Sequence, residues 1–343
     1  MSRIVMIRAI HCAGVTSNGF KIRFSTQSLD EALSCTEKCK LTWLDFVISD
    51  ISLGAEEVVK GLKINLEPSA LFSGYLANYE DKGDVLGLMI PVVRFEERKI
   101  TATPLLIYVK QNLLVTIRDE HAEYLLKLSQ YAESFLKKLP TMDEEWAERQ
   151  TLLLSRMIDE VNEHNFKVLG SIVERSETME MTLRASPVRE ISTEMFEIRR
   201  SIVTFLNISW ANHDVVHSLR YGDAEMVSDR EEILAKFNLI LSDLERQISL
   251  AGNMLEVLSG SVSVIQADIT NKMTTLLLWL TIIGTAILVP NTLATVYGIP
   301  FLEHESYWRW IVTSLLLVTV ISTIVVYLYV KRWWRKPISK ISQ

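Results

Sequence analysis

The chain has 343 residues, a formal net charge of −6, 48% hydrophobic residues and a positive mean hydropathy of +0.18. Its mild acidity argues against a nucleic-acid partner. The sequence contains no phosphate-binding glycine loop, nucleophile motif or Ser/His/Asp set, so we expect neither an enzyme nor a bound organic cofactor.

The N-terminal third alternates short β-rich segments with a stretch of helical spacing. The β-rich segments are Arg3–Ile10, Phe20–Phe24, Leu41–Ile48, Val85–Phe95 and Leu105–Thr116. Gly54–Leu62 has helical spacing and carries Glu56 and Glu57 in its first turn. Because strands interrupted by helices favour a sheet covered by helices, we predict an α+β domain over residues 1–118.

The cysteines and the N-terminus indicate the compartment. Cys35 and Cys39 would share one face of a helix, but with Cys12 they form no metal-site spacing, so we expect reduced, incidental thiols. Met1–Ile10 has two arginines and no long apolar core, which predicts no signal peptide. The polar part of the chain is therefore expected in the cytoplasm.

Residues 119–228 predict a cytoplasmic helical region. The predicted helices are Glu120–Leu139, a long helix from Thr141 toward Arg184, and Pro187–Leu219. His213 and His217 lie four residues apart on the third helix, a spacing that can bind zinc. Since the sequence offers no third ligand, we favour two histidines on a packed helix.

The last helix begins near Asp229 and meets no strong breaker before Val296. At 1.5 Å per residue it would be roughly 100 Å long. We assign residues 229–272 to its stalk part. A lone helix of this length would be poorly buried, so the sequence predicts a homo-oligomer with stalk helices packed side by side.

Two uncharged stretches near the C-terminus, Met273–Leu302 and Trp310–Val330, each reach the roughly 20 residues that a helix needs to cross a bilayer. We assign transmembrane helix 1 to 273–297, an extracytoplasmic loop to 298–307, transmembrane helix 2 to 308–330 and a basic tail to 331–343. The cluster Lys331–Lys336 predicts a multi-pass protein of the cell membrane with both termini in the cytoplasm.

The first span is unusually polar for a membrane anchor, and two stripes along this helix contain its polar residues together with other side chains. One stripe contains Thr274, Thr281, Thr285 and Thr292. The other contains Leu277, Leu280, Gly284, Leu288, Asn291 and Thr295. Polar groups in a span usually face protein or a water-filled path, so either stripe could line a pore. Alternatively, the threonines only bond their own helix backbone. The second span is more uniformly apolar and is expected to face lipid.

Several short motifs occur in one order along nearly the whole chain. They are Trp43-Leu44-Asp45, Leu106–Asp119, Ile198-Arg199-Arg200 with Trp210 and Asp214-Val215-Val216, Asn271-Lys272-Met273, Leu280-Thr281-Ile282-Ile283 and Tyr297-Gly298-Ile299-Pro300. Followed by a two-span hairpin and a basic tail, this order resembles the CorA-type divalent metal cation channels, which include the ZntB zinc transporters. The specificity lies in the order and spacing of the motifs.

The resemblance implies a homopentameric funnel in which an α+β cytoplasmic domain is followed by a long stalk helix and a two-helix transmembrane hairpin. It implies transport of Mg2+, and in some members Co2+, Ni2+ or Zn2+, largely as hydrated ions. The implied pore face consists of Thr274, Leu277, Leu280, Gly284, Leu288 and Asn291. The partners implied are further copies of the chain, the lipid bilayer and these ions, which can also be regulatory.

The chain departs from the family at its signature. Tyr297-Gly298-Ile299-Pro300 replaces Tyr-Gly-Met-Asn, and Pro300 lacks the side-chain amide of the family asparagine. Glu303 and Glu305 fit the acidic outer mouth. The family also carries a cytoplasmic divalent-ion sensor. Its candidates here are Asp243, Glu256 and Asp268, because Ser263 occupies the place of a common stalk aspartate.

Two alternatives remain open on sequence. One is a proton-coupled zinc transporter of the ZntB type, for which His304 at the mouth is the only local support. The other is a non-conducting pentameric scaffold or sensor, which the change at Pro300 permits.

Overall fold

The structure is a computed structural model that describes residues 7–73, 76–96, 99–120, 144–182, 188–222, 224–297 and 305–334. The chain divides into two compact units, residues 1–260 and residues 261–343.

The described part of the first unit contains a mixed sheet. Its strands are β1 (Ile7–Val15), β2 (Lys21–Thr26), β3 (Leu41–Ile48), β4 (Asn78–Asp81), β5 (Val85–Glu96), β6 (Lys99–Lys110) and β7 (Leu113–Asp119), in the order β2-β1-β3-β7-β6-β5-β4. Neighbouring strands are antiparallel, except that the central strands β3 and β7 are parallel. Parallel strands are normally buried on both faces, and β3 is buried along its whole length.

The described helices fall into a short and a long set. The short helices are α1 (Leu29–Lys38), α2 (Ile51–Gly61) and α3 (Pro68–Phe72). The long helices are α4 (Glu144–Thr182), α5 (Val188–Tyr221), α6 (Glu231–Tyr297) and α7 (Glu305–Trp334). The Asp50 side chain caps α2 by accepting a bond from the Ser52 amide, and Pro68 begins α3, which are common ways to start a helix.

The sheet separates two hydrophobic cores. Side chains of a strand alternate between its faces. Trp43 therefore joins the core formed with α4, α5 and the first turns of α6. Leu44 and Phe46 join the opposite core, formed with α1, α2 and α3. The first unit is thus a three-layer α/β/α arrangement.

Helix α4 covers part of an exposed sheet edge. Strand β4 pairs with β5 only as far as Met89, so the later residues of β5 lack a strand on that side. The Asn165 side chain fills this place: its Nδ2 donates to the Pro91 carbonyl at 3.2 Å and its Oδ1 accepts from the Val93 amide at 2.9 Å. His164 Nε2 lies 3.1 Å from the Val93 carbonyl. Two side chains therefore satisfy backbone groups that a further strand would otherwise bond.

The structure confirms several predicted elements and corrects others. Strand β3 has the predicted bounds, Leu41–Ile48. The β-rich segment Leu105–Thr116 belongs to two antiparallel strands joined at Gln111 and Asn112, where Asn112 has a φ of 62°. Asparagine tolerates this left-handed conformation, which allows the tight turn.

The remaining predictions concern the helices. The predicted helices starting at Thr141, Pro187 and Asp229 correspond to α4, α5 and α6. The predicted helix Glu120–Leu139 lies almost wholly outside the described residues. Helices α1 and α3 and strand β4 were not predicted, because each is short.

Candidate functional site in the C-terminal helices

The second half of α6 is the candidate membrane segment. The last charged residues before it, Asp268 and Lys272, form an ion pair at 2.8 Å, and no charged side chain follows up to Tyr297. Among the described residues, α6 is the one helix long and apolar enough to cross a bilayer, and α7 carries a shorter apolar segment, Val312–Leu328.

Large apolar side chains on both helices point away from the chain. Leu277, Leu280 and Leu288 are between 59% and 66% exposed, and Leu316 and Val325 on α7 are similarly exposed. Leaving such side chains in water costs about 1.5–3 kcal/mol each relative to burial. This apolar surface therefore needs lipid or further protein around it.

The threonines of the first span bond their own helix. Each of the six hydroxyls donates to the carbonyl four residues earlier, at 2.7–2.9 Å. They belong to Thr274, Thr275, Thr281, Thr285, Thr292 and Thr295. These bonds agree with the backbone alternative for the threonines, and the choice of the pore-lining stripe stays a prediction. A hydroxyl that donates to its own helix retains acceptor capacity, but its polarity no longer demands a partner across the helix.

Asn291 differs from these threonines. Its side chain is exposed on α6, and no hydrogen bond to it is found within the described residues. A carboxamide has two donors and an acceptor, which helix backbone bonds do not use. Gly284 lies on the same stripe, and a Cβ there would meet open space. Within the described residues, the donors and the acceptor of the Asn291 carboxamide therefore remain available for hydrogen bonds outside its own helix.

The signature and the outer mouth lie mostly outside the described residues. Tyr297 ends α6 and Glu305 begins α7. Gly298, Ile299, Pro300, Glu303 and His304 fall in the undescribed connection, so the predictions for them stay predictions.

The three proposed sensor carboxylates have different surroundings. Asp243 forms an ion pair with Arg246 at 3.0 Å, and Asp268 forms one with Lys272. Glu256 is exposed on α6. Within the described residues, no three histidine, cysteine or acidic side chains lie close enough to hold a metal ion. The assignment of these three carboxylates to a sensor between copies of the chain stays a prediction.

Asp243 nevertheless lines a groove of about 520 Å³ between α4 and α6. Asp159 lines the same groove, 2.6 Å from Arg156. Burial raises the pKa of Asp159, and the Asp243 charge adds to this effect. The groove thus joins two carboxylates to Arg149, Arg156 and Lys236, a mixed charge pattern that favours neither a cation nor an anion.

His213 and His217 belong to a row of neighbouring rings on α5. Their rings stack with centroids 6.2 Å apart, and the nearest carboxylate across the helices, Glu245, lies 3.7 Å from His213 Nε2. The stack continues from Trp210 on one side to Tyr221 on the other. The interpretation as histidines on a packed helix agrees with this geometry.

Sequence reasoning missed a buried polar network in the sheet. Arg118 Nε lies 3.1 Å from both oxygens of Asp45, and both side chains are about 99% buried. Thr116 donates to Asp45 at 2.8 Å and accepts from Trp43 Nε1 at 3.0 Å. An aspartate within the apolar segment Leu41–Ile48 was the available signal for it.

The chain resembles a known protein family over most of its length. Residues 39–332 match the model of the CorA-like Mg2+ transporter proteins. The chain belongs to this family. The matched region includes most of the sheet, the four long helices and both candidate spans, so it confirms the resemblance drawn from the ordered motifs.

Two curated relatives share the same description, cobalt/magnesium transport protein CorA. The protein from Methanocaldococcus jannaschii is 25% identical over 305 residues, which cover 87% of this chain and 92% of the relative. The protein from Thermotoga maritima is 25% identical over 189 residues, 54% of this chain and 53% of the relative.

Solved structures support the fold. The complete structure of the CorA magnesium transporter from Methanocaldococcus jannaschii has a TM-score of 0.73 at 19% identity and covers 96% of this chain and 98% of its own. The full-length CmaX protein gives 0.59 at 14% identity, with 95% and 98% covered. The α/β unit with long helices is therefore the CorA fold, and the chain is a membrane protein of a transporter family rather than an enzyme.

Proposed function

We propose that this protein conducts divalent cations across the cell membrane, with Mg2+ as the first candidate and Co2+, Ni2+ and Zn2+ as further ones. The observation that carries the proposal is the family match over residues 39–332, which includes the uncharged half of α6 and all but the last residues of α7. Both curated relatives are described as cobalt/magnesium transporters.

The proposed topology has two spans, residues 273–297 of α6 and residues 308–330. By the positive-inside rule, the cluster Lys331–Lys336 supports a topology with both termini in the cytoplasm. The large first unit then lies on the cytoplasmic side, and the connection with Glu303 and Glu305 lies outside.

The proposed assembly is a homopentamer with α6 around the central axis. Exposed apolar side chains recur every seven residues on α6, at Leu250, Val257 and Val264, with 38%, 60% and 70% exposure. A seven-residue apolar repeat is typical of helices that pack on one another along their length. This stripe, and the exposed leucines of the span, support a partner helix of the same kind.

In this assembly the pore face consists of Thr274, Leu277, Leu280, Gly284, Leu288 and Asn291. The leucines would form an apolar constriction, which can gate by excluding water. Five Asn291 carboxamides would offer oxygens to the hydration shell of the ion. Because Mg2+ loses its waters reluctantly, neutral oxygens that touch this shell suit it.

The mouth is proposed at Tyr297-Gly298-Ile299-Pro300. Backbone carbonyls there would replace the amide that Pro300 lacks, and Glu303 and Glu305 would concentrate cations nearby. Replacing Pro300→Asn is expected to raise selectivity for Mg2+ over Co2+ in flux measurements. Unchanged selectivity would mean that backbone carbonyls already supply the oxygens that Pro300 cannot offer from a side chain.

The deciding experiment is ion uptake by proteoliposomes that contain the full chain. Mg2+, Co2+, Ni2+ and Zn2+ are compared under a membrane potential, with and without a pH gradient. Flux driven by potential alone supports the channel. Flux that requires the pH gradient favours proton-coupled zinc transport. The absence of flux from a folded oligomer refutes conduction and favours the scaffold.

The pore face is tested with two neighbouring substitutions. Asn291→Leu removes the free carboxamide and is expected to reduce Mg2+ flux at least tenfold. Thr292→Val is the matched control, since its hydroxyl already donates to the Leu288 carbonyl at 2.7 Å and lies on the other stripe. A loss confined to Thr292→Val would assign the pore to the threonine stripe instead.

A further inference from the structure

Two cysteine thiols face each other at the end of α1. The Sγ atoms of Cys35 and Cys39 are 3.8 Å apart, and Cys35 is 98% buried whereas Cys39 is partly exposed. The third cysteine, Cys12, is buried on β1. We refer to Cys35 and Cys39 as the dithiol pair.

The local fold creates this pair. Helix α1 ends at Lys38, and Cys39 turns into extended backbone with φ −106° and ψ 145°, while its amide still donates to the Cys35 carbonyl at 3.2 Å. The last helical turn is therefore closed, and residues four apart meet on one side. A Cβ added to Gly14 of β1 would approach Cys39 Sγ to 2.6 Å, so the bare glycine makes room for the thiol.

The two thiols differ chemically. The hydrogen bond between the two thiols lowers the pKa of Cys39 to about 7. The same hydrogen bond, together with burial, raises the pKa of Cys35 far above its ordinary range. Burial raises the pKa of Cys12 to about 12. Cys39 is also the partly exposed thiol of the three, so it is the one that peroxide can reach and that ionises most readily, and the thiolate is the reactive form.

We propose that the dithiol pair is a site of reversible oxidation by hydroperoxides, with Cys39 as the attacking thiol and Cys35 as the resolving thiol. The Cys39 thiolate attacks the O–O bond of hydrogen peroxide, which gives Cys39 sulfenic acid and releases hydroxide. The Cys35 sulfur then attacks the Cys39 sulfur and loses its proton, forming the Cys35–Cys39 disulfide and expelling water. The two thiols lose two electrons in total, and one peroxide is reduced to two waters.

The geometry permits the second step. Residues four apart on a helical turn have Cα atoms about 6 Å apart, inside the span of disulfides. The sulfurs must approach from 3.8 Å to about 2.05 Å, a distance that side-chain rotation at the helix end covers.

A metal site is the weaker interpretation of the same pair. A structural zinc site takes four ligands, and within the described residues no third metal-ligating side chain joins these two. Cytoplasmic disulfides are usually transient and redox-sensing, which agrees with the proposed side of the membrane.

The test uses the full-length protein in detergent, reduced and then exposed to hydrogen peroxide at pH 7. Acid quenching, alkylation of remaining thiols and trypsin digestion follow. Because Lys38 separates the pair, the disulfide would join the peptide Phe24–Lys38 to the dipeptide Cys39-Lys40. We expect this linked pair, the loss of two of the three free thiols, and full recovery with dithiothreitol.

Substitutions assign the roles. Cys12→Ser, the matched control, should leave the linked pair unchanged. Cys35→Ser should stop at a Cys39 sulfenic acid that dimedone captures, and Cys39→Ser should leave Cys35 unoxidised. The proposal is overturned if wild-type Cys39 stays alkylatable after peroxide treatment, if Cys39 is oxidised while Cys35 stays free, or if the disulfide contains Cys12. The wild-type result requires no variant to fold.

Discussion

The buried ion pair between Arg118 and Asp45 makes a sharp stability prediction. In Arg118→Met, Asp45 would keep one hydrogen bond, from Thr116, and would lose its cationic partner at a fully buried position. Removing one partner of a buried pair costs about 3–5 kcal/mol, since the other charge is left without compensation. For a unit of this size each kcal/mol lowers the melting midpoint by roughly 2–4 °C. The expected decrease is therefore about 6–20 °C.

The assay is thermal unfolding of the full-length protein in detergent at a fixed scan rate, followed by circular dichroism. Arg156→Met is the matched control, because this arginine also pairs with a carboxylate but is 43% exposed. Exposed pairs contribute about 0–1 kcal/mol, so the control should shift the midpoint by a few degrees at most.

A second variant separates lost charge compensation from lost packing. Asp45→Leu combined with Arg118→Met replaces both charges with apolar groups, a change that is often neutral or stabilising. The double variant should recover most of the loss, apart from about 1 kcal/mol for the Thr116 hydroxyl, which loses its acceptor. The reasoning is refuted if Arg118→Met melts at the same temperature as Arg156→Met. It is also refuted if the double variant melts at a lower temperature than Arg118→Met alone.

Two further predictions concern the edge of the sheet. Asn165→Ala leaves the Val93 amide and the Pro91 carbonyl without their side-chain partner and should cost about 1–3 kcal/mol, measured by the same melts, with the exposed Asn207→Ala as control. Burial lowers the pKa of His164, so below about pH 6.5 the unfolded chain binds a proton that the folded chain does not, and stability falls as the pH drops. The decrease in melting midpoint from pH 7 to pH 5 should be smaller in His164→Gln, and an equal decrease would exclude His164 as a source.

Much of the fold could be predicted from sequence because hydrophobic patterning is local. The β-rich segment Leu41–Ile48 predicts a strand with the observed bounds, and the long unbroken pattern after Asp229 predicts α6. Partner choice is not local. Asp45 and Arg118 are 73 residues apart and meet only because β3 and β7 pair in parallel, with Val47 opposite Arg118. No spacing rule in the sequence specifies that pairing.

The dithiol pair illustrates the same boundary at shorter range. The spacing of Cys35 and Cys39 predicts that both lie on one helix face. It does not predict that α1 ends between them, or that Gly14 of a distant strand leaves room for the Cys39 sulfur. These two facts set the difference between an incidental pair of thiols and a reactive one, and both depend on packing.

In the candidate pore, the sequence shows which residues are polar, and the structure shows which hydrogen bonds they make. Composition alone identifies the polar residues of the first span, but it treats six threonines and one asparagine alike. The structure separates them, since every threonine hydroxyl donates to its own helix and the Asn291 carboxamide has no such bond within the described residues. A threonine can thus be accommodated in a span without a hydrogen-bond partner on another helix. In the proposed pore, water and hydrated ions would need groups that the helix leaves free, and the Asn291 carboxamide would be such a group.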